Sequence, residues 1–550
     1  MASIYDSLVH QKVNVYRPGE VEYERSVAAS NLVYRFSRPS YVVQPAHASE
    51  VQIIVQEAQA EGLRLTIKGG GHSYAGFSTA NDGILLDLVK MNDVHLDIAK
   101  ETVTMQGGAQ WGHVYKRLVN GQHDGYVVNG GRCPTVGISG FTLGGGLGPF
   151  TRSFGMGCDT VESATIVNAK GELVTATSFQ HKDLFWALRG AGGGNFGILV
   201  KMKMKVKKLH DSKVVAGRYT WYPKLSDSKK PDPEVARTLM TNFMVAMQDF
   251  YKAQWSNEMT IDSSWLCELE KTDAETPIGV RFLVYYNGTE PKFQEEIKKK
   301  SGATFPSEDL MERSIEEPST LFLHETLVAQ WSEEIQKSFP ANKTFNFYTS
   351  FCFDERADFN SITKIIRDKM LDFRTKFKGE KGLLQVTWIH SGGEAENVPS
   401  DQTAVYWRGA RFHTYIMIQW EEKFLGKRMM GFLKEFEEIL RPESIEGVAK
   451  YINFADARLH EPTEEGLPLP GKSYFGKNIT KLQKVKADVD KHDFFRWSQS
   501  IQPEPRKRKA DEVKLIDLVA GQQWVDLGKD VTRLTTEGTG GVFALTDLGF

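Results

Sequence analysis

Apolar residues recur along this chain with two different periods. Val42 and Val43 read as a short strand. Then Val51, Ile54, Val55 and Ala58 follow the i, i+3, i+4, i+7 spacing of one helix face, with Ser49 as the expected N-cap and Gly62 as the stop. Leu63, Leu65 and Ile67 alternate as the next strand, and residues 84–88 and 103–105 read as two more. A helix is expected over residues 111–118. Residues 161–167 and 173–176 read as a hairpin turning at 168–171. A short helix over 183–188 precedes a strand over 199–206, whose lysines alternate outward.

Residues 211–233 are polar and hold three prolines, so a boundary is expected there. Beyond it Val235, Leu239, Phe243, Met247 and Phe250 mark a long helix. Strands are expected over 259–266, 279–286 and 412–420, and helices over 362–377 and 423–440. The pattern argues for an α+β protein of two domains, the second a sheet covered by helices. A closing segment spans 451–456 and 474–503. Residues 503–510 read as a charged linker, with a short amphipathic helix in the last 40 residues. The basic run at 506–509 has the composition of a nuclear signal, but a lone tract of this kind is more often a solvated linker.

Composition changes this picture only by exclusion. A chain of 550 residues is too long for one ordinary core. The net charge of -2 gives no reason to invoke nucleic acid or an anionic membrane. Four cysteines are no disulfide framework, no C-x-x-C pair suggests zinc, and no metal site is expected. No apolar run is long enough to span a membrane, and the N-terminus lacks the apolar region of a secretory signal, so a cytoplasmic location is expected. Sequons at Asn287, Asn342 and Asn478 do not change that expectation.

The chemistry is carried by three glycine clusters: GGGHSYAG at 69–76, GGRCPTVGISGFTLGGGLG at 130–148 and RGAGGGNFGI at 189–198. Glycine at that density suits backbone that passes close to a flat ring or a phosphate, whose oxygens its N–H groups can line. A dinucleotide-binding G-x-G-x-x-G fits poorly, because Pro134 and three consecutive glycines interrupt it. His72 alone reads as polar surface or a satisfied buried group, and Cys133 alone as a small buried apolar residue. Each, however, sits inside its own glycine loop.

These three segments, with YINFAD through QSIQP at 451–503, resemble in order the berberine-bridge-enzyme-like oxidases of the vanillyl-alcohol-oxidase flavoprotein group. The resemblance covers about residues 35–503, loosely in the middle, and leaves the tail unmatched. It implies an FAD-binding domain of the PCMH type over 35–212, after an N-terminal segment at 1–34. A substrate domain over 213–448 would follow, then a closing segment over 449–503 that returns to the FAD domain, and an extension over 504–550. It implies FAD attached twice, by a ring nitrogen of His72 to the 8α-methyl and by the sulfur of Cys133 to C6. Gly69, Gly70, Gly71, Ser73, Gly137, Gly140, Gly144, Gly145, Gly146, Asn195 and Gly197 would line the diphosphate and ring, with Asn453 near the ring edge. Val136, third after the cysteine, would stand beside the flavin C4a, where valine accompanies reaction with dioxygen.

Hydride transfer to flavin needs a base for the substrate O–H or N–H. The family often carries a tyrosine just before the closing asparagine, here Tyr451, or a glutamate on the neighbouring sheet, for which this strand face offers no clear match. Tyr415, with His413 two residues earlier on the same strand face, falls where other members point a polar residue at the flavin. The implied activity is an FAD-dependent oxidase of a small secondary-metabolite substrate, reoxidised by dioxygen to hydrogen peroxide, with oxidative cyclisation as a variant. The alternatives are a net non-redox isomerase or cyclase, a carbohydrate or alcohol oxidase, and a flavoprotein that acts through a partner without turnover.

Overall fold

The computed structural model describes residues 4–29, 31–223, 233–271, 278–329, 343–459 and 469–503. The expected linker and helix beyond residue 503, and Asn342, lie outside the described residues. Three sheets organise the rest. The first has four strands in the order β1-β2-β4-β3: β1 Val15–Tyr16, β2 Tyr41–Val43, β3 Leu65–Lys68 and β4 Ile84–Asp87. Here β4 runs parallel to both β2 and β3.

The helix between β2 and β3, Ala48–Ala60, buries the four apolar positions of its face. It starts one residue before the expected N-cap. His47 is the cap residue and makes no side-chain bond, and Ser49 lies inside the first turn. The carboxylate of Glu50 instead accepts from the Ala46 N–H at 2.8 Å. Gly62 does end the helix, in the left-handed region at φ 66°. The Leu63 N–H donates to the Ala58 carbonyl and the Gly62 N–H to that of Gln59.

The second sheet, antiparallel, comprises β5 Val94–Asp97, β6 Thr102–Gln106, β7 Tyr126–Val128, β8 Val161–Val167, β9 Leu173–Thr177 and β10 Ile198–Lys208. β10 is its spine, paired with β6 and β8 along its length and with β7 at its end. Met202, Met204 and Val206 are buried, and Lys201 and Lys205 are exposed, as alternation requires. The β8–β9 hairpin turns at Asn168, whose side chain accepts from the Lys170 and Glu172 N–H groups.

The third sheet has seven antiparallel strands in the order β14-β11-β13-β12-β16-β17-β15: β11 Lys213–Trp221, β12 Met259–Glu268, β13 Gly279–Tyr286, β14 Ser314–Pro318, β15 Phe345–Phe353, β16 Gly382–His390 and β17 Phe412–Trp420. β11 begins inside the stretch expected as a boundary, and β14, β15 and β16 were not anticipated. One face carries Ile261, Trp265, Phe282, Trp388 and Ile416 into a core shared with the helices Pro233–Lys252, Phe359–Lys376 and Gly426–Leu440. By alternation the other face presents Asp262, Ser264, Gln385, Thr387, Tyr348 and Tyr415.

The closing residues return to the first half of the chain. The Lys486 ammonium on helix Ile479–Val489 donates to the Asn195 carbonyl at 2.7 Å and pairs with Asp490. The result is an α+β architecture. Among the described residues no helix is long and apolar enough to cross a membrane. Two of the sequons are structural: Asn287 is 1% exposed and the Asn478 amide donates to the Ser400 carbonyl.

Candidate functional site

β3 ends at Lys68, whose ammonium is held by Asp87 and the Ser26 carbonyl. The chain then turns through residues 69–71 and presents His72. Opposite it, residues 133–136 form a β-turn in which the Val136 N–H donates to the Cys133 carbonyl at 3.3 Å, with Pro134 at the position that favours its φ. Three backbone bonds moor this turn and the residues after it to the helix Trp111–Asn120 and the loop before it. Gly112 donates to Pro134, Trp111 to Val136, and Ile138 to Ala109. The backbones of the two loops meet at glycines: a Cβ on Gly70 would lie 2.3 Å from the Gly137 nitrogen.

That contact brings the two reactive side chains to one hydroxyl. Thr135 Oγ1 lies 2.9 Å from His72 Nε2 and 3.2 Å from Cys133 Sγ. His72 has accessible surface because it faces a cavity, yet protein atoms crowd it, and this desolvation holds its pKa down at about 4. The imidazole is therefore neutral and keeps a nitrogen lone pair at physiological pH.

The cavity has a volume of about 1280 Å³. It runs from Tyr415 and Ile389 on the seven-stranded sheet, past His72 and Cys133, to Gly62, Asn81 and Arg496. Most of the expected residues lie on its wall: Gly69, Gly70, Gly71, Ser73, Val136, Gly137, Gly140, Gly197, Asn453 and Tyr415. Several glycines are kept for the space beside them. A Cβ on Gly140 would meet nothing within 4 Å, and one on Gly69 only the Gly107 carbonyl at 3.8 Å. Side chains there would fill the cavity, so the site fits a long ligand such as FAD, gripped by bare backbone.

Six expected residues are not on the wall. Asn195 is 2% exposed and acts as a bracket, its amide donating to the Ala191 carbonyl and its oxygen accepting from the Ile501 N–H. Gly144 and Gly145 back on to the closing segment: a Cβ on Gly144 would lie 2.0 Å from Asn453 Oδ1, and Gly145 packs against Met156 and Val405. His413 is 3% exposed, bonded to the Ser391 hydroxyl at 2.8 Å, and burial pushes its pKa down to about 3. Tyr451 lies behind the same glycines. Its hydroxyl accepts from the Gly146 N–H at 2.8 Å and the Asn453 amide at 3.1 Å. Burial raises its pKa, against the pull of those two donors, so the phenol is not a ready base. Gly146, expected on the ring, is held by this bond.

Sequence reasoning missed four residues at the site. Tyr74 stacks on Tyr348 at 4.2 Å between centroids and meets Tyr415 edge-on, and Phe454 lies against both Tyr74 and Tyr415. Arg132, beside Cys133, lines the cavity and forms a buried ion pair with Asp262 of β12, donating to its carboxylate at 2.9 Å. Thr135 is the fourth. All but Phe454 were inside quoted glycine motifs; only their contacts reveal them.

Two family models match the chain. One described as "FAD binding domain" covers residues 39–177, and one described as "Berberine and berberine like" covers 450–502. The chain is 25% identical over 486 residues to "Berberine bridge enzyme-like 17" of Arabidopsis thaliana, covering 84% of each chain. It is 24% identical over 490 residues to "Tetrahydroberberine oxidase" of Argemone mexicana, covering 85% of this chain and 83% of that one. In fold it is similar to Phl p 4, a grass pollen allergen with glucose dehydrogenase activity, with a TM-score of 0.73 at 21% identity, over 92% of this chain and 100% of that one.

Proposed function

From its place among the berberine-bridge-enzyme-like FAD-linked oxidoreductases, the family to which this chain belongs, we propose that it is an oxidase holding FAD by two covalent bonds, through His72 and Cys133. FAD supplies the acceptor for a hydride from a C–H next to oxygen or nitrogen, and passes the electrons to dioxygen as hydrogen peroxide. The division into an FAD domain over 35–212 with its closing segment, and a substrate domain between them, belongs to this proposal. So does a cytoplasmic setting, in keeping with four free, buried cysteines.

The observation that carries the reading is the placement of His72 and Cys133 on one hydroxyl at the wall of a glycine-lined cavity. Each bond exchanges a flavin C–H and one N–H or S–H for C–N or C–S. The two hydrogens and two electrons released leave with dioxygen as hydrogen peroxide. Val136 lies on the wall near Cys133, where the proposal has dioxygen approach. Tyr415 brings a polar group from the sheet to the wall, and it takes the contact with the substrate O–H or N–H. Tyr451 and Asn453 shape the glycine loop beneath.

The wall facing the sheet is aromatic and aliphatic: Tyr74, Tyr415, Phe454, Ile389 and Leu147. Its cation, Arg132, is already engaged by Asp262. This favours an uncharged aromatic metabolite. A carbohydrate substrate is the second reading, prompted by the likeness to the glucose dehydrogenase allergen. Acid precipitation tests the attachment: a yellow pellet is expected, and a colourless one over free FAD would overturn it. Anaerobic bleaching of the flavin by aromatic alcohols or amines, with peroxide formed on admitting air, tests the oxidase. Product without peroxide would instead favour an isomerase or cyclase.

A further inference from the structure

Thr135 joins the two attachment residues through one hydroxyl. We propose that Thr135 is a positioning residue for flavin attachment, accepting the Nε2–H of His72 and donating its own O–H to the sulfur of Cys133. The inference rests on the attachment reading above. The distances, 2.9 Å to nitrogen and 3.2 Å to sulfur, suit one hydroxyl serving both groups.

The arrangement has a chemical consequence on each side. A hydrogen bond accepted from Nε2–H selects the tautomer whose lone pair is on Nδ1, so Nδ1 is the nitrogen left to bond the flavin. A hydroxyl that donates to sulfur holds the Cys133 side chain in one orientation at the cavity wall. Thr135 is solvent-exposed, so burial does not hold it. The turn does: Pro134 sets its first corner, and the Gly112 N–H grips the Pro134 carbonyl at 2.7 Å. The Gly70 backbone presses on the other side, where a Cβ would come within 2.9 Å of the Thr135 carbonyl. These contacts set the Thr135 backbone at the junction of both loops, from which its hydroxyl reaches His72 and Cys133.

Protein produced under riboflavin limitation is incubated with FAD, sampled over time, denatured in acid and digested. Mass spectrometry then follows flavin on the His72 and Cys133 peptides. Thr135→Val keeps the shape and removes the hydroxyl, and is expected to slow attachment about tenfold, as the loss of an orienting hydrogen bond would. Thr135→Ser is expected to restore the wild-type rate, with the initial affinity for FAD equal in all three. Equal rates in wild type and Thr135→Val overturn the proposal, and so does a slowing that serine does not rescue. If Thr135→Val does not accumulate as folded protein, Thr135→Ala against Thr135→Ser decides the matter on the same readout. Flavin on neither peptide of the wild type overturns the attachment reading and this one with it. Attachment at wild-type rates in Thr135→Val overturns this one alone.

Discussion

The two walls of the cavity are built on opposite principles. On the proposed cofactor side the surface is backbone: Gly70 lies against Gly137, and Gly140 faces open space. On the sheet side the surface is side chain, with Tyr415, Tyr74 and Phe454 in mutual contact. A wall of backbone admits one kind of residue at each position. A wall of side chains can be rewritten without moving the backbone that carries it. The first can serve a cofactor common to a whole family, and the second is where relatives of one fold can differ in substrate.

The largest expected effect tests the first wall. Gly70→Ala places a methyl 2.3 Å from a backbone nitrogen, with no flexible side chain to give way. It is expected to cost about 3 kcal/mol or to abolish folded, flavin-loaded protein, the upper range for overpacking. Thermal melting and the yield of yellow protein check this. A variant with wild-type melting would mean that the loops part easily.

On the second wall, Tyr415→Phe is expected to leave melting unchanged and to slow anaerobic flavin reduction by about 10²–10⁴, the range for a lost proton-transfer group. Tyr451→Phe should slow it far less, by about tenfold or under, since that hydroxyl acts on the Gly146 N–H behind the wall. A reversed order in stopped-flow traces would move the proton transfer from Tyr415 to Tyr451.

The smallest effect concerns His413, which is buried neutral with a pKa lowered to about 3. Between that value and the unfolded pKa near 6.5, the unfolded chain binds a proton that the folded one does not. Stability is therefore full above about pH 6.5 and falls with pH below it, by about 1.4 kcal/mol per unit for one such group. His413→Asn should flatten the fall by up to about that slope. Urea unfolding at pH 7 and pH 5 measures it, and an unchanged slope would show that His413 is solvated.

Much of the cofactor side was legible in advance, because its signals are local. Glycine density, a cysteine and a histidine embedded in it, and helix stops such as Gly62 all act on their own stretch of backbone. The β8–β9 hairpin and the lysine alternation of β10 were legible for the same reason. The sheet side was read less well. β12, β13 and β17 were anticipated, whereas β15 and β16 were not, although both pair with β17 along its whole length. Nothing within Phe345–Phe353 says which strand will lie beside it. Ser49 failed as a cap because Glu50 competes for the same helix end, and that competition is settled by geometry.

The sequence by itself determined where backbone must run bare, and which two side chains stand in those bare loops, because glycine's freedom and a residue's place in its own loop are local properties. Only the tertiary structure decided which wall each residue joins. Asn195, Gly144 and Gly145 sit behind the cavity because the closing segment, hundreds of residues on, packs against them, and His413 and Tyr451 because they are bonded to Ser391 and to Gly146 behind the wall. The meeting of His72 and Cys133 on Thr135 is of the same kind. It depends on the backbone of Gly70 touching that of Gly137, a long-range contact that neither loop encodes alone.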